Sequence, residues 1–391
     1  KTEGAFQYYK ASTDIDEKGL FGFALPESFQ PGSYRLVYNT QKNLYINIIY
    51  NNEDISFSCD PEDQINSIYF FDSKENTLFF DYIKQINIKY TAFDSIQKLI
   101  YEKNYIPTLL NYCINNNINA IISLFDIDLL VLSKHKDLFL ENKIRLVLAP
   151  ENSVRICNDK WETYNFLKKT GIKTPISFLT IKNAISAIKN KELTFPLIIK
   201  PRWGMASLGI YVADNIEELT ILYKKSVNDI FKTYLKYESN LTKKTPVIIQ
   251  EFLNGQEYGL DVINDLDSNY VTTFAKKKIT MRAGETDIGE TVSANKFINI
   301  SKKISLKIKH EGILSVDCII VGKEIYVIEM NCRISGHYPL SHLAGANIPK
   351  QIILWLNNQK TDQRLLQIKE GLLITKDLVP TIINIDKKKG E

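Results

Sequence analysis

Ser315-Val316-Asp317-Cys318-Ile319-Ile320 and, shortly after it, Val327-Ile328-Glu329-Met330-Asn331-Cys332-Arg333 decide the fold. Both stretches read as strands. Residues i and i+2 of a strand face the same side, so Glu329, Asn331 and Arg333 share one face. The flanking Ile and Val predict a central, half-buried strand, where unpaired charges would be costly. That argues against the bland alternative, a polar edge strand. Glu329 and Asn331 supply hard oxygen donors, and Asp317 adds a third from the neighbouring strand, a set that suits Mg²⁺ bridging phosphates. Arg333 on the same face can hold a phosphoryl or carboxylate oxygen bidentately.

Working upstream, two more polar pieces stand at the ends of apolar strands. Lys200 closes Pro196-Leu197-Ile198-Ile199 and is followed by Pro201-Arg202-Trp203-Gly204-Met205-Ala206-Ser207-Leu208-Gly209. A lysine at a strand end followed by a small-residue loop suits a polyphosphate, with backbone N–H groups and an ammonium meeting the oxygens. The alternative is a surface hairpin with a chance lysine. G-x-x-x-x-G-K-[ST] is absent, so this is not a Walker loop. Next comes Gln250-Glu251-Phe252-Leu253-Asn254-Gly255-Gln256-Glu257. An acid ending one strand and another opening the next can place two carboxylates on one cleft wall, one for an adenine amino group and one for ribose hydroxyls. The alternative is an exposed hairpin with solvated glutamates.

The rest of the chain sets the frame. Its 391 residues allow two or three domains. Apolar residues at 44% and charged ones at 24% are ordinary globular values, and a net charge of +4 is too small to make nucleic acid the main partner. No apolar run is long enough for a membrane span. Cys59, Cys113, Cys157, Cys318 and Cys332 are odd in number and irregularly spaced, which argues against a disulfide framework or a zinc ribbon and for a reduced, cytoplasmic chain. The chain begins at Lys1, so a removed targeting signal stays open. Residues 1–66 read as short strands, including 19–23, 33–38 and 44–50, separated by Pro31-Gly32, Asn51-Asn52 and Asp60-Pro61. From 67 to 155 strands and helices alternate, with strands at 68–71, 88–93, 120–125 and 145–148 and helices at 76–85 and 104–117, which predicts a parallel sheet covered by helices. No G-x-G-x-x-G follows its first strand, so a dehydrogenase loses its main support. From 156 to 385 an α+β pattern follows, with helices at 182–189, 216–225, 300–309 and 350–356.

In this order, the lysine, loop, hinge and metal strands resemble the ATP-grasp superfamily, most of all carbamoyl-phosphate-synthase-like ATP-grasp ligases with a single ATP-grasp unit. The resemblance runs from about 88 to 385. It implies a β-rich N-terminal segment (1–66), a parallel-sheet α/β pre-ATP-grasp domain (67–155) and an ATP-grasp domain (156–385) with a flexible subdomain at about 175–255. It implies ATP and Mg²⁺, or Mn²⁺, as cofactors. Lys160, in Asn158-Asp159-Lys160, stands at the first ATP lysine and Lys200 at the second. Gly204, Ser207 and Gly209 fall in the flexible loop, Glu251, Phe252 and Leu253 in the adenine hinge, and Glu257 at the ribose acid. Asp317, Glu329 and Asn331 match the metal ligands, and Arg333 the basic residue after them. Residues 1–66 are weakly similar to the small β-domain that precedes thioredoxin-like modules in some secreted lipoproteins, through Pro31-Gly32-x-Tyr34 and the helix start Ser73-Lys74-Glu75-Asn76.

The implied reaction is ligation: ATP phosphorylates a carboxylate, and an amine or similar nucleophile displaces the phosphate. Lys200, Arg333 and Arg282 are the expected catalytic groups. Arg282 lies in a polar segment, 281–287, that reads as a lid over the reacting group or as a solvated loop. The partners implied are a small carboxylate and a small amine, without nucleic acid or membrane, and a homodimer is compatible. A non-catalytic ATP-binding or regulatory module is the alternative; it predicts lost lysines or metal ligands. A secreted binding protein is the third reading, suggested by residues 1–66. Four departures from the family stand out, one being that the N-terminal sheet lacks the usual glycine-rich first loop, in keeping with residues 1–85 replacing or remodelling it. Ala206 replaces a common glycine, Asp317 a more frequent glutamate, and Ile334-Ser335-Gly336-His337 a glycine-rich stretch, which makes His337 a candidate acceptor-side residue, either hydrogen-bonding substrate or taking an amine proton. Its alternative is a packed loop residue.

Overall fold

A computed structural model describes residues 16, 20–22, 32–39, 44–50, 52–60, 63, 67–81, 84, 104–204, 209–233, 235–242, 244–282 and 284–376. The chain divides into two compact units, Lys1–Ser95 and Ile96–Glu391. The expected strand at 88–93 and Ser207 lie outside the described residues.

In the first unit, β1 (Gly32–Asn39) and β2 (Leu44–Tyr50) form an antiparallel pair from Gly32↔Tyr50 to Asn39↔Leu44, with an irregularity between Val37 and Asn39. Leu20–Gly22, expected in a strand, is irregular. β3 (Phe57–Ser58) pairs with β4 (Tyr69–Phe70). Asn76, fully buried, uses its amide as a strand would. Its Oδ1 accepts from Ile49 N–H and its Nδ2 donates to Ile49 O, both at 2.7 Å. That ties the helix over 74–81 to β2, beside the cluster of Ile46, Ile68, Phe70 and Phe80. The β-rich unit therefore reaches past residue 66, because the apolar face of β4 and of this helix is buried against it.

The second unit opens with helix Tyr105–Asn115 and a parallel pair, β5 (Ala120–Ile121) and β6 (Arg145–Leu146). Helices Asp126–Ser133 and Lys136–Glu141 make the crossover that parallel strands require. Helices Glu151–Asn158 and Lys160–Lys169 follow, broken at Asp159. β7 (Ser177–Phe178), β8 (Leu197–Pro201), β9 (Tyr211–Ala213) and β10 (Val247–Glu251) form an antiparallel sheet in the order β7-β10-β8-β9. Its apolar face packs on helices Ile181–Lys189 and Ile216–Lys232 through Leu197, Ile199, Val247, Ile249 and Leu219.

The larger sheet is antiparallel throughout. It is built from β11 (Gln256–Asn264), β12 (Tyr270–Arg282), β13 (Glu285–Val292), β14 (Gly312–Val321), β15 (Glu324–Asn331) and β16 (Leu373–Thr375), in the order β15-β14-β11-β12-β13-β16. One face carries Leu260, Val262, Ala275, Leu314, Val316, Val327 and Met330 into the main core, where helix Ile298–Ile308 also packs. Alternation sends the intervening residues to the opposite face. There Ile263, Phe274 and Ile313 join a second apolar cluster. Two residues along each strand the same face turns polar, at Asp261, Lys276 and Ser315. Among the described residues no helix is long and apolar enough to cross a membrane.

Candidate active site

The polar end of that face is the floor of the site. Register places Glu329 opposite Asp317, Asn331 opposite Ser315, Asp317 opposite Gly259 and Gly259 opposite Lys276. Asn331 Nδ2 lies 3.4 Å from Glu329 Oε1, so these two share a face as the strand period requires. Lys278 joins the two acids on either side of it: Nζ is 2.7 Å from Glu257 Oε1 and 2.9 Å from Asp317 Oδ1. Burial alone would lower the pKa of Lys278. The Asp317 and Glu257 carboxylates outweigh burial and hold its ammonium above the usual lysine range. Asp317 is the mirror case. Burial raises it, but Lys278 and His337 bring it well below the usual carboxylate range.

Beneath this pair lies a second one, Lys276 and Asp261, 2.5 Å apart and both 0% exposed. Asp261 Oδ2 also accepts from Ser341 Oγ at 2.6 Å. Burial lowers the Lys276 ammonium, with Asp261 opposing it. His337 rests on this floor. Its Nδ1 is 3.2 Å from Asp261 Oδ1, and its Nε2 is 3.1 Å from Ser315 Oγ and 3.6 Å from Asp317 Oδ1.

The walls carry the lysines. Asp159 caps helix Lys160–Lys169 by accepting from Trp161 and Glu162 N–H, which starts the helix at Lys160. The same carboxylate takes Arg202 bidentately, with Nε–Oδ1 and Nη2–Oδ2 both at 2.7 Å, and Lys160 N–H donates to Arg202 O. The helix start is thereby pinned to the end of β8. Lys160 Nζ donates to Gly204 O at 2.7 Å and stands 3.8 Å from Glu329 Oε1. Gly204 has φ +132, and a Cβ there would meet the Leu235 side chain at 3.0 Å.

Lys200 is on the face of β8 opposite Leu197 and Ile199 and makes no ion pair among the described residues. Burial pushes it down to about 8. Glu329, Glu257 and Asp317 oppose that shift and Lys160 adds to it, which places all four within electrostatic reach. At the far wall Arg333 donates through Nε (2.8 Å) and Nη2 (2.5 Å) to Asp126 Oδ2, at the start of helix Asp126–Ser133. Burial raises Asp126, and Arg333 partly reverses this. Asp126, Asn158, Lys160, Gly204, Glu329 and Asn331 line one small cavity.

The structure thus gathers Lys160, Lys200, Gly204, Glu257, Asp317, Glu329, Asn331 and Arg333. Glu251 ends β10 as expected, but its Oε2 accepts from Ile176 N–H at 3.0 Å, fastening β7 to the hinge. Phe252 and Leu253 follow it in the turn to β11. Gly209 stands past the end of the undescribed loop residues. Arg282 is not brought to the floor: four residues beyond Lys278, in the last part of β12, it pairs with Asp287 at 2.5 Å, 46% exposed. His337, read as a candidate proton acceptor, is 4% exposed with both ring nitrogens beside protein groups. Asp126, Lys276, Lys278 and Asp261 were not singled out in the sequence. Only Asp261 stands as a lone charge inside an apolar run, Leu260-Asp261-Val262-Ile263; Lys276 and Lys278 fall in the consecutive run Lys276-Lys277-Lys278 and carry no local signal of their own.

Among the described residues no three His, Cys, Asp or Glu side chains form a ready-made metal site. The oxygen set at Asp317, Glu329 and Asn331 is two carboxylates and an amide. It fits Mg²⁺, which keeps several waters and is completed by substrate phosphates. Asp317 Oδ2 has no partner among the described residues and remains available to a cation.

A four-stranded sheet presenting Lys200, a helix start presenting Lys160 and a six-stranded sheet presenting paired acids define an ATP-grasp domain. Residues 157–337 match the ATP-grasp domain family and residues 90–147 the PylC-like N-terminal domain family, so the chain carries an ATP-grasp domain behind a PylC-like N-terminal domain. It is 22% identical over 300 residues to the carbamoyl phosphate synthase large chain of Clostridium acetobutylicum, matching 73% of this chain and 26% of that one. The arginine-specific large chain of Bacillus subtilis is 21% identical over 205 residues, 50% of this chain and 18% of that one. The chain thus spans about a quarter or less of these relatives. Among solved structures, the biotin carboxylase domain of Hydrogenobacter thermophilus 2-oxoglutarate carboxylase, in complex with MgADP, ADP and bicarbonate, has a TM-score of 0.55 at 18% identity, covering 68% of this chain and 59% of that one. L-amino acid ligase from Bacillus licheniformis has a TM-score of 0.53 at 17% identity, covering 68% and 64%.

Proposed function

We propose that the protein is an ATP-dependent ligase that activates a small carboxylate as an acyl phosphate for attack by an amine. The observation that carries this reading is the convergence of Asp317, Glu329 and Asn331, on one face of the larger sheet, with Lys160 at a helix start 3.8 Å from Glu329 and with Lys200 on the smaller sheet within electrostatic reach. A module that merely binds nucleotide needs no such metal set facing two phosphate lysines. In this reading Glu257 meets the ribose, the backbone of Phe252 and Leu253 the adenine edge, and Lys160 and Lys200 the phosphate oxygens. Asp317, Glu329 and Asn331 hold Mg²⁺ or Mn²⁺, which when bound neutralises phosphate charge.

A substrate carboxylate oxygen attacks the γ-phosphorus. The new P–O bond forms as the bond to the β–γ bridging oxygen breaks, and ADP leaves with that electron pair. The amine then attacks the acyl carbon. The C–O bond to phosphate breaks, inorganic phosphate takes the electron pair, and the amine proton goes to phosphate or water. Arg333, fixed by Asp126, stabilises the acyl phosphate through its remaining N–H groups. The protein's work is positioning and charge neutralisation. The unpaired cysteines suit a reducing, cytoplasmic setting. ADP and phosphate release, measured against pooled amino acids and dipeptides, tests the reading. Release that depends on both a carboxylate and an amine supports it; nucleotide binding without carboxylate-dependent release would make the chain a binding module.

A further inference from the structure

His337 stands directly between a metal-site carboxylate and a fully buried ion pair, and nothing in the ligation chemistry above uses it. Its ring lies flat on the sheet at Gly259, where an added Cβ would come within 2.7 Å of its Cδ2 and 2.8 Å of its Nε2. The absent side chain is what admits the ring. Nδ1 lies 3.2 Å from Asp261 Oδ1, close but without a hydrogen bond between them, and Asp261 is itself fixed through Oδ2 by Lys276 and Ser341. Nε2 is placed beside Ser315 Oγ and Asp317 Oδ1. Lys278 closes on the same Asp317 oxygen at 2.9 Å. Both approaches are to Oδ1, which makes no hydrogen bond of its own, and no contact to Oδ2 is found among the described residues.

Resting on the metal-site reading above, we propose that His337 is a positioning residue for the divalent cation. With Lys278 it locks the rotation of Asp317 so that Oδ2 faces the cation. The chain Lys276–Asp261–His337–Asp317 then joins the sheet interior to the ion. Neither a substrate contact nor proton transfer is assigned to His337, because the ring is buried, with Nε2 bonded to Ser315 Oγ and Nδ1 facing Asp261 Oδ1. Groups behind a ligand that set its orientation commonly change metal affinity 10- to 100-fold when removed.

The test is Mn²⁺ uptake by the ADP-saturated full-length protein, read by the loss of the free-ion electron paramagnetic resonance signal, with ADP affinity in EDTA measured alongside. His337→Ala is expected to weaken Mn²⁺ binding by roughly 10- to 100-fold and leave metal-free ADP affinity within about twofold. His337→Gln, whose amide nitrogen can take the place of Nε2, should recover most of the loss. Gly259→Ala, which displaces the ring without touching it chemically, should behave like His337→Ala. Should His337→Ala fail to fold, His337→Gln and Gly259→Ala decide. Unchanged Mn²⁺ affinity in His337→Ala or Gly259→Ala, a glutamine variant as weak as alanine, or a wild type that takes up no Mn²⁺ with ADP present would each overturn the proposal. A wild type that binds Mn²⁺–ADP with the expected variant order, yet ligates nothing, would defeat the ligase reading alone.

Discussion

Nucleotide affinity should fall as pH rises through 8, because of Lys200. Burial brings its ammonium from 10.5 to about 8 in the free protein. Phosphate oxygens against Nζ favour the charged form, so binding above pH 8 must take up a proton. Restoring the pKa fully to 10.5 corresponds to a ceiling of about 3 kcal/mol. At pH 9 about a tenth of the free protein would hold the charge, so Kd should rise about tenfold from pH 7 to pH 9, with uptake of about 0.9 proton per ADP. Calorimetry with ADP in EDTA, in two buffers of different ionisation enthalpy, reads both quantities without metal. Lys200→Arg keeps the charge throughout and should flatten the profile. The unfolded chain holds the Lys200 proton up to about 10.5, so from pH 8 toward that value unfolding would take up a proton. The apo protein should therefore gain stability over this window as far as Lys200 is concerned. A wild-type Kd that stays flat from pH 7 to 9.5, or proton uptake that persists in Lys200→Arg, would refute the reasoning.

Glu329→Gln should leave the melting temperature nearly unchanged and abolish metal-dependent turnover, since it removes a formal charge from a hard-cation site while keeping its shape; circular dichroism with phosphate release checks both. Arg333→Lys should lower turnover about tenfold or more, because an ammonium cannot hold Asp126 and a phosphoryl oxygen together as the planar fork does, a loss of ~1.5–3 kcal/mol. Asp159→Ala should cost about 3–5 kcal/mol in urea unfolding by stranding the buried Arg202 guanidinium, with Asp159→Ala/Arg202→Met recovering part.

The pairing of the strands that carry Asp317 and Glu329 was legible because two independent constraints agree there. Apolar residues alternate with hard-oxygen residues, and β14 and β15 then meet with Asp317 opposite Glu329. The helix expected at 216–225 runs on to Lys232, because Val227, Ile230 and Phe231 continue its apolar stripe against the small sheet. Lys276-Lys277-Lys278 looks like a solvated charge run. Only pairing with β11 and β14 shows that 276 and 278 turn inward to Asp261, Glu257 and Asp317. The Arg333–Asp126 pair spans 207 residues, so no local pattern announces it. His337 was visible as a departure from the resemblance, but its seat depends on a glycine 78 positions earlier in another strand. Arg282 was placed by its polar neighbourhood, whereas strand length carries it beyond the floor to Asp287.

The central claim is that a substrate carboxylate oxygen passes to phosphorus. The direct measurement uses MgATP, an amine pool and a pool of amino acids and dipeptides labelled with ¹⁸O in their carboxyl groups, with the released phosphate read by mass spectrometry. The account predicts phosphate carrying one ¹⁸O, absent with Glu329→Gln. Phosphate released in step with product but free of label would contradict it.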